Sequence, residues 1–205
     1  MDWTSLYFKT NDLKVFILGT GEVATRRANR FLDKNAQVTL AGNSIDPDLK
    51  DKGAILESTD NIDTLVKWAD LVIIATGDMD LADYVTEIAQ DKLVNRADNP
   101  QKANIIVPTT FNIEGVEISI FTGGKSPLMA KEIRKKIENI ITSEDILEIK
   151  VQNHARELLK DKVQNQKERK EYLYSFFEDS SLKSFIKDND LKNAKKHIEN
   201  LINDI

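Results

Sequence analysis

The chain has no cysteine and only two histidines among its 205 residues. The lack of cysteine excludes disulfides, thiolate catalysis and cysteine-based metal sites, and two histidines are too few for a histidine-rich metal site. No apolar run approaches the roughly 20 residues that a membrane-spanning helix needs, and no apolar leader segment is recognisable. We therefore expect a cytoplasmic protein with no membrane partner and no metal site of its own.

Glycine and proline are missing from a long part of the chain. All eight glycines lie at or before Gly124 and all four prolines at or before Pro127, so residues 128–205 contain neither. Because both residues mark turns, this asymmetry predicts a turn-rich α/β part followed by a helical tail. The composition, 40% hydrophobic and 31% charged, is typical of a globular protein. The formal net charge of −5 argues against a nucleic-acid partner.

Apolar runs alternate with helix-patterned segments in the first part of the chain. Val15–Leu18 and Leu71–Ala75 are typical of strands in a parallel sheet that is covered on both faces. Further strands are predicted at residues 37–41, 54–57, 93–95, 104–107 and 116–120. The pattern predicts an α/β protein: a Rossmann-like parallel sheet domain over residues 1–112, a small strand–helix region over 113–142 and an all-helical domain over 143–205.

The segment Gly19–Ala24 joins the first predicted strand to a helix. The first glycine permits a tight turn, Gly21 lets the backbone approach a phosphate, and the small Ala24 lets the helix pack on the strand. The helix N-terminus then offers free N–H groups and a positive dipole to an anion. The sequence therefore predicts a site for the pyrophosphate of a dinucleotide.

Polar residues follow two other strands of the predicted sheet. Asn43 and Ser44 stand where many NAD-binding chains carry an acidic ribose ligand. The segment from Thr39 to Ser44 contains no carboxylate, the next one being Asp46, and it contains no arginine. Asn43 and Ser44 can still hydrogen-bond a ribose. Thr76 and Asp78 end the apolar strand and are candidate cofactor or substrate contacts. Asp78 equally fits the cap of the next helix.

Two further segments have residue types suited to chemistry on an anionic substrate. Asp98 leaves a strand at the same edge, where a carboxylate can exchange a proton with a substrate, although its spacing from Pro100 equally fits an Asx-turn. Gly124, Lys125 and Ser126 precede a helix and suit an anion such as a carboxylate, with Arg134 adding positive charge. A capped helix with a solvated basic face is the alternative for this second segment.

These motifs, in this order, resemble the siroheme synthase N-terminal family of precorrin-2 dehydrogenases and sirohydrochlorin ferrochelatases. The resemblance extends over residues 1–142 and rests on the segments GTGEVATRRANRFLDKNAQVTL, ATGD, VNRADNP, IIVP and ISIFTGGKSPLMAKEIRKKIE. It implies that NAD⁺ accepts a hydride from precorrin-2 to give sirohydrochlorin, and that some members also insert Fe²⁺. It further implies a homodimer in which residues 113–142 form the dimer contacts.

The resemblance also implies roles for single residues. Asp98 matches the family's proton-handling aspartate. Glu22 and Val23, together with Asn43 and Ser44, match its NAD contacts. The missing acidic ribose ligand is therefore normal for this family. Ser126 matches a serine at the tetrapyrrole site.

The chain departs from the family pattern near the expected substrate contacts. Gly77 and Ala82 stand where an aspartate and an asparagine are common, and Arg96 and Ala97 replace an apolar pair before Asp98. Two other functions remain open from the residues alone: an NAD-binding regulatory or sensor module, and a Rossmann dehydrogenase of a small metabolite. Sensor modules usually carry the acidic ribose ligand that this chain lacks.

Overall fold

The computed structural model describes residues 3–205. The chain divides into two compact units, the first ending at Pro108 and the second formed by Thr109–Ile205. None of the helices in the described part of the chain is both long and apolar enough to span a membrane.

The first unit is built on a five-stranded parallel sheet. Its strands are β1 (Lys14–Leu18), β2 (Gln37–Ala41), β3 (Ile55–Glu57), β4 (Leu71–Ile74) and β5 (Leu93–Arg96). They lie in the order β3-β2-β1-β4-β5. Every residue of β4 is buried, which explains its uninterrupted apolar sequence. The strand order reverses between β1 and β4. Sheets of this kind bind ligands at such a point, beyond the carboxyl ends of the strands.

Helices cover both faces of this sheet. They are α1 (Glu22–Leu32), α2 (Pro47–Asp51), α3 (Ile62–Trp68) and α4 (Met79–Ile88), with 3-10 turns at Thr59–Asn61 and Pro100–Lys102. The side chains of β1 alternate between two cores. Phe16 and Leu18 pack with α3 and α4, and Val15 and Ile17 pack with α1 and α2. The predicted Rossmann-like α/β class is confirmed.

The strand predicted at residues 104–107 is wrong. Beside β5 the segment makes backbone bonds only to the Val94 carbonyl, which accepts from the N–H groups of Asn104 and Ile105 at 3.0 and 3.2 Å. Side chains make the other bonds: Asn104 Oδ1 accepts from the N–H of Val94 at 2.6 Å, and Asn95 Nδ2 donates to the Ile105 carbonyl at 2.9 Å. Ile105 packs against the core on the α1 side of the sheet. The apolar run therefore reflects packing of an irregular segment, which short apolar runs do not distinguish from a strand.

The second unit begins with a hairpin of two antiparallel strands. These are β6 (Thr109–Ile113) and β7 (Val116–Ile120). Glu114 and Gly115 form the turn between them, at φ values of 43° and 103°. Positive φ at both turn residues is the geometry that matches the twist of a two-residue hairpin.

The rest of the second unit is helical, as the sequence predicts. Its helices are α5 (Pro127–Ile140), α6 (Ser143–Lys162), α7 (Gln166–Glu178), α8 (Ser180–Lys187) and α9 (Leu191–Asn203). Each begins after a side chain that accepts a hydrogen bond from the helix backbone; these caps are Ser126, Thr142, Asn165, Asp179 and Asp190. Polar caps therefore set the start of every helix here, including the four after Pro127 in the stretch without glycine or proline.

Candidate functional site

The turn after β1 brings its backbone against the end of β4. Gly19 has a φ of +112°, and a Cβ built on it would lie 2.3 Å from the Ala75 carbonyl oxygen and 3.2 Å from the backbone nitrogen of Thr76. The Gly19 N–H also donates to the Ala41 carbonyl of β2 at 2.9 Å. Both the conformation and the space therefore require glycine at this position.

The N-terminus of α1 opens directly after this turn. Gly21 is the N-cap residue, and no side chain caps the helix there. A Cβ on Gly21 would meet nothing within 4 Å, so the space beside the free N–H groups is open. Glu22 and Val23 are exposed in the first helical turn, while Ala24 is fully buried in the core shared with the sheet.

The end of β2 contacts the same turn. A Cβ on Gly42 would lie 2.6 Å from Thr20 Cγ2, so glycine allows the Thr20 side chain to pack there. Asn43 and Ser44 follow, and both are exposed. Neither side chain has a hydrogen-bond partner among residues 3–205. Their polar atoms are therefore available to a ligand.

The residues after β4 form the start of α4. Asp78 Oδ1 accepts from the N–H of Leu81 at 3.0 Å, and Thr76 Oγ1 accepts from the N–H of Asp78 at 3.1 Å. Asp78 is therefore the N-cap of α4, the structural alternative that the sequence left open. Contact of Thr76 or Asp78 with a cofactor stays a prediction.

A nicotinamide dinucleotide fits the residues at this edge of the sheet. The glycine turn leaves open space where a side chain on Gly21 would stand, and the uncapped α1 N-terminus suits the pyrophosphate. The free polar side chains of Asn43 and Ser44 suit the hydroxyl groups of a ribose. These features come from three neighbouring chain segments that the sheet holds together.

Asp98 follows β5 and is held by an arginine two residues before it. Arg96 Nε and Nη2 donate to the two carboxylate oxygens of Asp98 at 2.9 and 2.6 Å. The Asp98 side chain remains 27% exposed, whereas the Arg96 side chain is only 2% exposed. Hydrogen bonding to the Arg96 guanidinium lowers the pKa of Asp98 below its ordinary value. Asp98 is therefore an ionised carboxylate with one side open to solvent.

The Asx-turn that the sequence allowed at Asp98 belongs to its neighbour. Asn99 Oδ1 accepts from the N–H of Gln101 at 3.1 Å and caps the 3-10 turn that starts at Pro100. The largest influence on the Asp98 carboxylate is its hydrogen bonding to Arg96, beside smaller contributions from the backbone of Asp98 and Asn99. A chemical role for Asp98 stays a prediction.

The predicted anion-binding residues of the second unit surround the start of α5. Gly124 has a φ of +74°, and Ser126 Oγ accepts from the N–H of Met129 at 3.1 Å, which makes it the helix cap. Lys125 is exposed. Arg134 pairs with Glu138 at 2.8 Å and lies over the Phe111 ring. Substrate contact by these residues stays a prediction.

A concavity of about 680 Å³ between α6 and α7 contains none of the predicted site residues. Its basic lining residues are Arg156, Lys160, Lys167, Arg169 and Lys170. Two of these cations already have partners: Arg169 donates to the Val163 carbonyl at 2.7 Å, and Lys160 pairs with Glu157 at 2.6 Å. The Arg169 contact joins α7 to the C-cap of α6, and the Lys160 pair lies within α6.

Sequence reasoning missed that Arg96 pairs with Asp98 and with a second carboxylate, that of Asp83. Arg96 Nη1 lies 2.7 Å from Asp83 Oδ1. The sequence treated Arg96 only as a departure from an apolar pattern. The available signal was the strand itself, because an arginine that ends a buried strand requires a carboxylate partner, and Asp98 stands two residues away.

Comparison with known proteins places the chain among nicotinamide-dependent enzymes. A family model described as "Putative NAD(P)-binding" matches residues 6–109. A "Putative precorrin-2 dehydrogenase" of Methanocaldococcus jannaschii is 29% identical over 191 residues, which are 85% of this chain and 89% of that protein.

Longer relatives are siroheme synthases. That of Thioalkalivibrio sulfidiphilus is 29% identical over 69% of this chain and 30% of its own length. That of Shigella boydii is 27% identical over 100% of this chain and 46% of its own length. The chain therefore spans less than half of these relatives.

A solved structure has the same fold. The structure of "SirC, precorrin-2 dehydrogenase" superimposes with a TM-score of 0.77 at 19% identity and covers 99% of this chain and 100% of its own. At this identity the likeness concerns the fold. Together the comparisons confirm the resemblance drawn from the sequence motifs: the chain belongs to the NAD(P)-binding family that its residues 6–109 match, and within it to the siroheme synthase N-terminal family.

Proposed function

We propose that the protein is a precorrin-2 dehydrogenase, which oxidises precorrin-2 to sirohydrochlorin with NAD⁺. The observation that carries this proposal is the ionised Asp98 carboxylate at the sheet edge that also bears the glycine turn. A dehydrogenase needs a dinucleotide site beside a group that takes a proton from the substrate. The names of the relatives supply the substrate class, a tetrapyrrole.

NAD is proposed rather than NADP because of the residues that follow β2. Residues 42–49 contain no lysine or arginine to bind a 2′-phosphate. Instead, the carboxylates of Asp46 and Asp48 are exposed there. A phosphate on the ribose would meet negative charge without a compensating cation.

The oxidation removes a hydride and a proton from the substrate, and the protein's residues handle position and the proton. The oxidised nicotinamide supplies the hydride acceptor when it is bound. The α1 N-terminus binds the pyrophosphate, with Glu22 and Val23 at its first turn, and Asn43 and Ser44 orient the ribose. Asp98 accepts the proton, because an ionised carboxylate with an open side can act as a base.

The start of α5 is proposed to bind carboxylates of the tetrapyrrole. Lys125 and Arg134 supply positive charge, the N–H groups of Gly124 and the first helical turn supply donors, and Ser126 can donate its hydroxyl proton while its oxygen caps the helix. A cationic site is needed locally because the chain as a whole has a net charge of −5.

Three further expectations belong to this proposal. Residues 113–142 are proposed to form a homodimer, and exposed apolar side chains on α5, Leu128 and Ile140 among them, support a contact there. Fe²⁺ insertion into sirohydrochlorin is proposed as a second activity, with iron as a substrate. The protein is expected to work in the cytoplasm.

An anaerobic assay with precorrin-2 and NAD⁺ tests the proposal. We expect the pigment spectrum to change to that of sirohydrochlorin while NADH absorbance rises in equal amount. A parallel reaction with NADP⁺ tests the cofactor choice, and Fe²⁺ or Co²⁺ with sirohydrochlorin tests metal insertion. Binding of NAD⁺ without any turnover would contradict the proposal and would favour a sensor module or a dehydrogenase of a small metabolite.

A further inference from the structure

Arg96 is a buried cation whose hydrogen-bonding groups have partners on two elements. Besides the two bonds to Asp98, its Nη1 contacts Asp83 Oδ1 at 2.7 Å, Thr86 Oγ1 at 2.9 Å and the Ala82 carbonyl at 3.3 Å. All three of these partners lie on α4. The contacts with α4 therefore fix the guanidinium independently of its bonds to Asp98.

The Arg96 side chain lies on the α4 face of the sheet. Its Nη1 contacts the Ala82 backbone carbonyl there, whereas Asn95 extends toward the opposite face, where it contacts Ile105. Val94, two residues before Arg96, packs in the core that the sheet forms with α3 and α4.

Asp98 and Asp83 carry two negative charges, and Arg96 and Lys102 carry two positive charges beside them. The charged groups are Arg96 on β5, Asp83 on α4 and Lys102 on the 3-10 turn. Lys102 Nζ lies 2.7 and 2.8 Å from the two oxygens of Asp83. Asp83 therefore has Lys102 as a cation of its own, and the charge of Arg96 is left to neutralise Asp98.

We propose that Arg96 is a positioning residue, which fixes the Asp98 carboxylate, ionised and in one orientation, for proton acceptance from the substrate. This proposal rests on the proposed dehydrogenase function. Two parallel N–H···O bonds define the plane of a carboxylate, whereas a single contact leaves it free to rotate. Asp98 then presents its open side to the substrate without having to order itself during the reaction.

The ionised state of Asp98 sets the direction of proton transfer. An aspartate carboxyl is ordinarily ionised at neutral pH, and the guanidinium lowers the pKa of Asp98 further. Asp98 can then accept a proton from the substrate but has none to donate at the start of the reaction. The same pairing makes it a weaker base than a free carboxylate, so Arg96 favours orientation over base strength.

The test compares the variants Arg96→Met and Arg96→Lys with Lys102→Met as the matched control. The measurement is the single-turnover rate of precorrin-2 oxidation across pH, together with the Kd for NAD⁺. We expect Arg96→Met to slow the reaction roughly 10- to 100-fold at neutral pH, since the fixed orientation of the Asp98 carboxylate is lost. The acid limb of its pH–rate profile, where the rate falls as Asp98 becomes protonated, moves to higher pH. The Kd for NAD⁺ stays within about twofold of that of the unmodified protein.

Arg96→Lys keeps the charge but not the two parallel bonds, so we expect its acid limb to stay low while its rate remains reduced. Lys102→Met should change the rate and the acid limb much less than Arg96→Met does, because Lys102 contacts Asp83 and not Asp98. An unchanged rate and acid limb in Arg96→Met would overturn the proposal. If Arg96→Met does not fold, the Arg96→Lys result decides, and a normal rate in that variant overturns the role in orientation.

A second readout does not depend on turnover. Carbon-13 NMR of labelled aspartate carboxyl groups follows the titration of Asp98, whose resonance is assigned by its loss in Asp98→Asn. We expect its titration midpoint to rise in Arg96→Met, and an unchanged midpoint would contradict the proposal. If the unmodified protein does not oxidise precorrin-2, the proposed function fails while this measurement still tests the hold of Arg96 on Asp98.

Discussion

Gly19 and Ala75 approach so closely that the two strand ends leave no room for a side chain between them. A Cβ on Gly19 would lie 2.3 Å from the Ala75 carbonyl oxygen, and the Gly19 φ of +112° disfavours any other residue. We therefore expect Gly19→Ala to lower the free energy of unfolding by about 2 kcal/mol or more, as strain and clash add. Denaturant unfolding measures this change.

Gly21→Ala is the matched control for that substitution. A methyl group there meets no protein atom within 4 Å, so the stability should stay within about 1 kcal/mol. Nucleotide affinity should fall, because the methyl group enters the space assigned to the pyrophosphate. Calorimetric titration with NAD⁺ separates the two effects, and equal affinity in Gly21→Ala and the unmodified protein would move the pyrophosphate away from this turn.

Asp98→Asn tests the proton acceptor with little change in shape. The amide keeps an oxygen that can accept from Arg96 but is not a base at neutral pH. We expect turnover of precorrin-2 to fall roughly 100-fold or more, while the Kd for NAD⁺ changes little because the glycine turn is untouched. Undiminished turnover would remove Asp98 from the reaction.

Acid should weaken the first unit through Asp98. The folded-state pKa of Asp98 is lowered below its ordinary value of 3.8 by Arg96. The ion pair therefore stabilises the fold at pH values above 3.8, and this contribution is lost as the pH falls further toward the folded-state pKa. Asp98→Asn should be less stable than the unmodified protein by about 1 kcal/mol or more at pH 7. Unfolding curves should show an equal difference at pH 7 and pH 5 and a smaller one at pH 3, and an unchanged difference at pH 3 would contradict the assignment.

Ser126 has two separable roles, which two substitutions distinguish. Its Oγ caps α5 through the N–H of Met129, so Ser126→Ala should cost about 1 kcal/mol of stability. Ser126→Asp keeps a cap but adds negative charge where substrate carboxylates are proposed to bind. We expect this variant to retain stability and to raise the KM for precorrin-2, and an unchanged KM would leave Ser126 as a helix cap alone.

Arg27 on α1 is expected to be replaceable. Its Nε is buried without a hydrogen-bond partner among the described residues, and burial, with Arg30 and Arg26 nearby, lowers its pKa to about 10. A buried cation without a carboxylate gains little from its charge. Arg27→Met should therefore change the free energy of unfolding by less than about 1 kcal/mol or increase it slightly. A large loss of stability in thermal unfolding would contradict this expectation.

The strongest sequence signals correspond to the parts of the fold that local patterns determine. The buried strand over Leu71–Ile74 and the cap and first turn of α5 are both readable from neighbouring residues. The strand predicted at residues 104–107 is wrong because the apolar side chains of this segment pack beside β5 and the segment does not form a strand of the sheet. The division of residues 143–205 into four helices was also missed, since only polar caps mark the boundaries.

The candidate site shows the same limit. Residues of the glycine turn could be predicted because a turn is local. The hydrogen bonds of Arg96 could not be predicted from the sequence, because the packing of α4 on the sheet brings Asp83 and Thr86 to it. A departure from a family pattern therefore acquired its meaning only from contacts between elements distant in sequence.

The place of Arg96 within a strand has a consequence for folding fidelity. β5 is an edge strand, and Arg96 is in register with Ile74 of β4. A slip of one residue would turn Arg96 toward the opposite core and bury its charge among apolar side chains, away from Asp83. Correct pairing of this edge strand keeps Arg96 beside Asp83 on α4, so the residue that holds Asp98 also disfavours a one-residue slip of the sheet during folding.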